Sequence, residues 1–233
     1  MHPIRIRFTD TAFGGYHDAT IHNTYSSATA IRNLLLASPH EDTRAPLRAQ
    51  VPSYVYNQLT QAAAQGELID TDDFSAALYA RLWSYRETGY TQFADCSTEL
   101  SNKIVHKLDQ FISFTDFASL LKTREVTYTR VCRVLMHILL GIRQEDYLTY
   151  APDSAYLRVL GFRREAAPLL TAVKKEASLP LVTKMADASH ILSDKANDLL
   201  ASDTAAADLY RSIRSIRLGQ TMPNEFTQKI VIV

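Results

Sequence analysis

The run Tyr25-Ser26-Ser27-Ala28-Thr29-Ala30-Ile31-Arg32-Asn33-Leu34-Leu35 limits this chain more than any other segment. Ile31, Leu34 and Leu35 share one helical face, so a helix is expected from Ser26 to Ser38, ended by Ser38-Pro39. Small hydroxyl residues open it and an arginine follows about one turn in. The N–H groups of a first helical turn attract anions, as does the positive end of the helix dipole. Ser27 or Thr29 can therefore cap the backbone or donate to a phosphate oxygen, and Arg32 can fork onto the same phosphate. An ordinary capped helix with a solvated arginine fits the same letters.

The rest of the chain reads as mainly helical. Before the run, Ile4-Arg5-Ile6-Arg7-Phe8 alternates like a short strand and Gly14-Gly15 suits a tight turn. Between Pro39 and Pro52 periodicity is lost, which places a domain boundary near residue 50. Helices are then expected from Pro52 to Gly66, from Thr71 through Leu82, from Ser97 to Phe111, from Ser113 to Leu121, and from Thr127 or Tyr128 to Gly141. Tyr156 to Leu160 and Leu181 to Thr183 suit short strands, Arg164 to Ala177 and Ala205 to Ile216 suit helices, and Lys229 to Val233 is strand-like. Trp83 reads as core, and Arg86 as a residue able to reach RNA.

Formal net charge is zero, so any nucleic-acid contact must come from a local patch rather than a global field. The best patch lies between Lys103 and Arg143. Lys103, Lys107, Lys122, Arg124, Arg130, Arg133 and Arg143 face only Asp109, Asp116 and Glu125 there. Lys122, Arg124, Arg130 and Arg133 cluster with Tyr128; cations meet phosphates and an aromatic ring can stack on an unpaired base. A solvated face would look the same. His137, between Met136 and Ile138, reads as a packed helix histidine, and no spacing suggests a protein-bound metal. Two cysteines fit a reducing cytoplasm, and no segment is apolar enough for a membrane span. His17-Asp18 is an acid–base or phosphate pair, or a turn capped by Asp18.

Two blocks carry a family resemblance. Gly14-Gly15-Tyr16-His17-Asp18 followed by Ser26-Ser27-Ala28-Thr29-Ala30-Ile31-Arg32 resembles the second nucleotide-binding motif of nucleotidylyltransferases, and in particular of bacterial tRNA(Met) cytidine acetate ligases. Leu121-Lys122-Thr123-Arg124, then Tyr128-Thr129-Arg130-Val131-Cys132-Arg133-Val134-Leu135-Met136-His137-Ile138-Leu139-Leu140, resembles a basic signature of the same family, with Tyr128 where relatives carry arginine. The resemblance implies an enzyme that uses ATP and acetate to make acetyl-adenylate and acetylates N4 of the wobble cytidine of elongator tRNA(Met). It implies ATP contacts from Arg7, Phe8, Ser27, Thr29 and Arg32 (Arg5-Ile6 is the alternative register for Arg7-Phe8), with Mg as a phosphate counter-ion. It implies tRNA anticodon-arm contacts from Lys122, Arg124, Tyr128, Arg130 and Arg133.

The family's first strand and His-x-x-His phosphate loop do not occur in these 233 residues. The chain is therefore expected to be the C-terminal portion of such an enzyme. Residues 1–50 would be the closing strand, loop and helix of a Rossmann-like α/β domain, and residues 51–233 a mostly helical tRNA-binding domain. A truncated gene, a designed fragment or half of a split protein all fit, and the chain alone is expected not to turn over. A non-catalytic RNA-binding module and a different adenylyltransferase are the competing readings.

Overall fold

The computed structural model describes residues 20–21, 26–37, 42–149 and 154–233. The expected strand over Ile4 to Phe8 lies outside them. Helices dominate, as expected. Helix α1 (Ala28–Ala37) is followed by a 3-10 segment (Asp42–Ala49) and α2 (Ser53–Ala64). Then come α3 (Ser75–Ser84), α4 (Thr98–Lys107), α5 (Phe114–Leu121), α6 (Tyr128–Leu140) and α7 (Gln144–Thr149). After strands β1 (Leu157–Arg158) and β2 (Gly161–Phe162) the chain forms α8 (Ala167–Glu176), β3 (Leu181–Val182), α9 (Ala188–Ile191), α10 (Asp194–Leu218) and β4 (Val231–Ile232).

Two compact units result, dividing between Asp70 and Thr71 rather than near residue 50. The proline-rich stretch after α1 is not a linker. Leu47 at its centre is fully buried with Leu35 of α1 and Tyr56 of α2, and Ile31, Leu34, Leu59 and Leu68 pack around them. Apolar contact thus binds α2 to α1 across three prolines.

In the second unit α6 packs against both α3 and α5. Val131, Val134, Leu135 and Ile138 point inward at helical spacing against Leu78, Leu82, Phe114, Phe117 and Leu121. Hydroxyl caps start three of these helices. Ser97 accepts from Leu100 N–H, Ser113 from Asp116 N–H and Thr127 from Arg130 N–H. Gly141 ends α6 at φ 76°, a left-handed cap, and the Arg81 Nε–H of α3 donates to Ile138 O at 3.2 Å. His137 is buried, with Nδ1 2.9 Å from Ala94 O, so its ring nitrogen is spent on the fold.

The remainder is held by long-range pairing. β1 runs parallel to β3 and β2 parallel to β4. Gly161 permits the second pair: a Cβ there would lie 2.8 Å from Val231 O. The side chains of Arg158 and Glu225 form an ion pair, and Arg217 of α10 pairs with Asp73 ahead of α3. Val182, Met185, Ala188, Leu192, Ala196 and Leu200 make a second small core. Helix α10 begins eleven residues before Ala205, where the sequence suggested its start, because Ser193 caps it by accepting from Ala196 N–H.

Candidate nucleic-acid interface

The turn joining α5 to α6 is tightly made. Lys103 Nζ donates to Leu121 O at 2.8 Å and to Lys122 O at 3.3 Å, closing the end of α5. Thr123 N–H donates to Val126 O at 2.9 Å, and Thr123 Oγ1 accepts from Val126 N–H at 3.0 Å and Glu125 N–H at 3.3 Å. Lys122 and Arg124 therefore project from an ordered turn, both exposed. Thr127 then caps α6, with Tyr128 and Arg130 exposed in its first turn and Arg133 one turn further.

All five of these residues are exposed. Arg133 is already engaged: its Nε lies 2.7 Å from an Asp95 carboxylate oxygen. Both groups remain well exposed, so the pair is worth little and an incoming phosphate can compete for the guanidinium. Burial, a hydrogen bond to Cys132 and the Asp72 and Asp116 carboxylates push the Tyr128 phenol up to about 12. Its ring is neutral at physiological pH and suited to stacking. Burial also raises the Cys132 thiol. Lys103, counted in the basic patch from the sequence, instead spends its ammonium on two carbonyls that no periodicity reveals.

At the other candidate site, Ser27 Oγ accepts from Ala30 N–H at 3.0 Å and Ser27 O from Ile31 N–H at 3.1 Å. Of the two uses open to Ser27 in the sequence, its oxygen thus serves as a cap. Thr29 is half-buried and Arg32 exposed, and the first turn of α1 holds no acidic residue to repel an anion. Arg7, Phe8, His17 and Asp18 lie outside the described residues.

Trp83 is not core. It is 50% exposed, with Arg86 stacked on its ring. Leu78 and Leu82 mark the buried face of α3, and Trp83 and Tyr79 each stand one residue, about 100°, round from it. That offset is the signal in the letters that places both rings toward solvent.

With this geometry in hand, comparison with known proteins is decisive at the family level. The model of the HIGH Nucleotidyl Transferase family matches residues 3–224. The chain belongs to that family. It is 28% identical over 221 residues to the tRNA(Met) cytidine acetate ligase of Acetivibrio thermocellus, an alignment covering 94% of this chain and 53% of the relative. The ligase of the same name from Listeria monocytogenes is 30% identical over 175 residues, covering 75% of this chain and 42% of the relative. Among solved structures, apo Thermotoga maritima TmcAL matches with a TM-score of 0.80 at 20% identity, covering 94% of this chain and 53% of that one. TmcAL bound with alpha-thio ATP matches with a TM-score of 0.74 at 22% identity, covering 89% and 52%. At such identities the likeness is one of fold. The chain spans about half the length of the curated relatives it matches.

Proposed function

We propose that this chain is part of an ATP-using ligase that modifies tRNA, and that its substrate is the wobble cytidine of elongator tRNA(Met). The observation that carries this reading is the family match over residues 3–224, which takes in both the capped start of α1 and the basic α5–α6 turn. In the proposed reaction a carboxylate oxygen of acetate attacks the α-phosphorus of ATP and pyrophosphate leaves. The cytidine N4 then attacks the acetyl carbon, AMP departs with the bonding electrons, and N4 loses a proton. Charge grows on phosphate oxygens in the first step, and preorganised donors act most where charge develops.

Arg32, Thr29 and the N-terminal end of α1 suit that role, with Ser27 holding the turn in shape and Mg neutralising the phosphates from outside the protein. Arg7 and Phe8 are proposed to complete the ATP contacts, and His17 and Asp18 to meet phosphate or move a proton. Lys122, Arg124, Tyr128, Arg130 and Arg133 would grip the anticodon arm, in a cytoplasmic enzyme. No helix among the described residues is long and apolar enough to cross a membrane.

The test is ATP-dependent incorporation of labelled acetate into tRNA(Met). Because the His-x-x-His loop is not among these residues, incorporation is expected only when a polypeptide carrying that loop is added. Robust turnover by the chain alone would refute that expectation. Salt-dependent tRNA binding with no ATP-dependent chemistry in the reconstituted mixture would instead favour a non-catalytic RNA-binding module.

A further inference from the structure

A ladder of rings runs from the core of the helical unit to its surface. Phe117 of α5 is fully buried and lies 5.0 Å from Phe111, centroid to centroid. Phe111 lies 5.2 Å from Tyr79, and Tyr79 lies 6.2 Å from Trp83. The inner rungs are fixed by packing, while Tyr79 and Trp83 are 38% and 50% exposed. The guanidinium of Arg86 stands 4.2 Å from the centroid of the indole, and Arg86 Nη1 donates to Trp83 O at 3.0 Å, which holds the cation in place. Arg86 also meets the exposed Glu87 at 3.2 Å.

Tyr79 and Trp83 form an exposed aromatic pair on α3, and charge selects what such a pair can take. An apolar protein surface closing on Trp83 would strip water from the Arg86 guanidinium at a cost. A single-stranded RNA supplies a flat base for the ring and a phosphate for the cation at every residue. Lys107, half-buried, places a second cation one turn before Phe111, with Nζ 3.5 Å from Gln110 Oε1.

We propose that Trp83, with Tyr79 beneath it and Arg86 beside it, is a stacking platform for an unpaired nucleobase of the bound RNA. This rests on the RNA-binding part of the function proposed above. It assigns to α3 a role that the basic turn does not fill: the turn attracts backbone, and the platform takes a base.

Trp83 is the chain's single tryptophan, so its own fluorescence reports on the site. The full chain is titrated with a fluorescein-labelled single-stranded pyrimidine 12-mer RNA and, separately, with an abasic oligomer of the same length. RNA anisotropy measures binding and indole emission measures stacking. The expected result is saturable quenching by the 12-mer with the same midpoint as the anisotropy change, and no quenching by the abasic oligomer. Trp83→Ala is expected to weaken 12-mer binding about tenfold, Trp83→Phe to restore most of it, and Arg86→Ala to weaken it severalfold. Unchanged thermal unfolding of Trp83→Phe shows that its value reports on binding rather than folding. If the 12-mer binds but neither emission nor the Trp83→Ala affinity changes, the platform is wrong and RNA binding by the chain stands. Equal quenching by the abasic oligomer likewise overturns stacking. If anisotropy detects no binding at all, the platform and the RNA reading fall together.

Discussion

Helices α1 and α6 begin alike and are supported differently. Each has a hydroxyl cap, Ser27 or Thr127, whose oxygen accepts from the N–H three residues on, and each presents an exposed arginine, Arg32 or Arg130. Behind α6 stand four fully buried apolar side chains in a core shared with α3 and α5. Behind α1 stand only Ala30 and Leu35, in a cluster built on Leu35, Leu47 and Tyr56. A cap and an arginine are thus a local device, whereas the rigidity with which they are held comes from distant residues. In the function proposed above, the more deeply seated start, α6, takes the large RNA, and the lighter one, α1, meets a small phosphate group.

The sharpest way to break this contrast is to hollow each mount. Leu135→Ala is expected to cost about 2–5 kcal/mol and Leu35→Ala less, about 2 kcal/mol or below, by denaturant unfolding. Equal losses would erase the distinction. Alkali should then weaken the α6 mount selectively. Burial pushes the Cys96 thiol from 9.0 and the Tyr90 phenol from 10.0, each up to about 12. Above pH 9 the unfolded chain loses protons that the folded chain keeps, so stability falls as pH rises from about 9 to 12. A loss of about 1 kcal/mol at pH 10 relative to pH 7, reduced but not abolished in Cys96→Ala because Tyr90 still titrates, is the expected outcome.

The caps come next. Thr127→Ala and Ser27→Ala should each cost about 1 kcal/mol of stability, but Thr127→Ala should lower tRNA affinity while Ser27→Ala lowers ATP affinity in the reconstituted enzyme. Titration of both ligands against both variants checks this, and a crossed result would reverse the roles assigned to the two helix starts. The smallest effect is expected at Arg133. Its bridge to Asp95 is exposed, so Arg133→Ala should change stability by less than about 1 kcal/mol while reducing the salt dependence of tRNA binding by about one phosphate contact.

Helix positions were legible in the letters because apolar spacing and hydroxyl caps agree at Ser97, Ser113 and Thr127. The boundary near residue 50 was misplaced because prolines read as a break, while the burial of Leu47 that joins α1 to α2 depends on side chains of the helices on either side of it. The early start of α10 was hidden by a polar first half, Asp194 to Thr204, in which only Ala196, Leu200 and Thr204 turn inward. Trp83 was misread because size suggested burial, whereas its angle from Leu78 and Leu82 sends it outward. At the candidate site the basic residues were visible as composition. What Lys103 and Arg133 do with their charge was not, since both partners are tertiary.

At 25 residues, α10 is about 37 Å long, yet its fully buried side chains end at Thr204. Beyond that point it is mostly half-buried as far as Ser215, and a left-handed glycine at 219, the Arg211 contacts to Asp208 and Met222 O, and the Arg217–Asp73 ion pair help hold its end. Amide exchange along this helix should therefore run as a gradient, slow near Leu200 and quick past Ile216, and added salt should steepen it by loosening the far end.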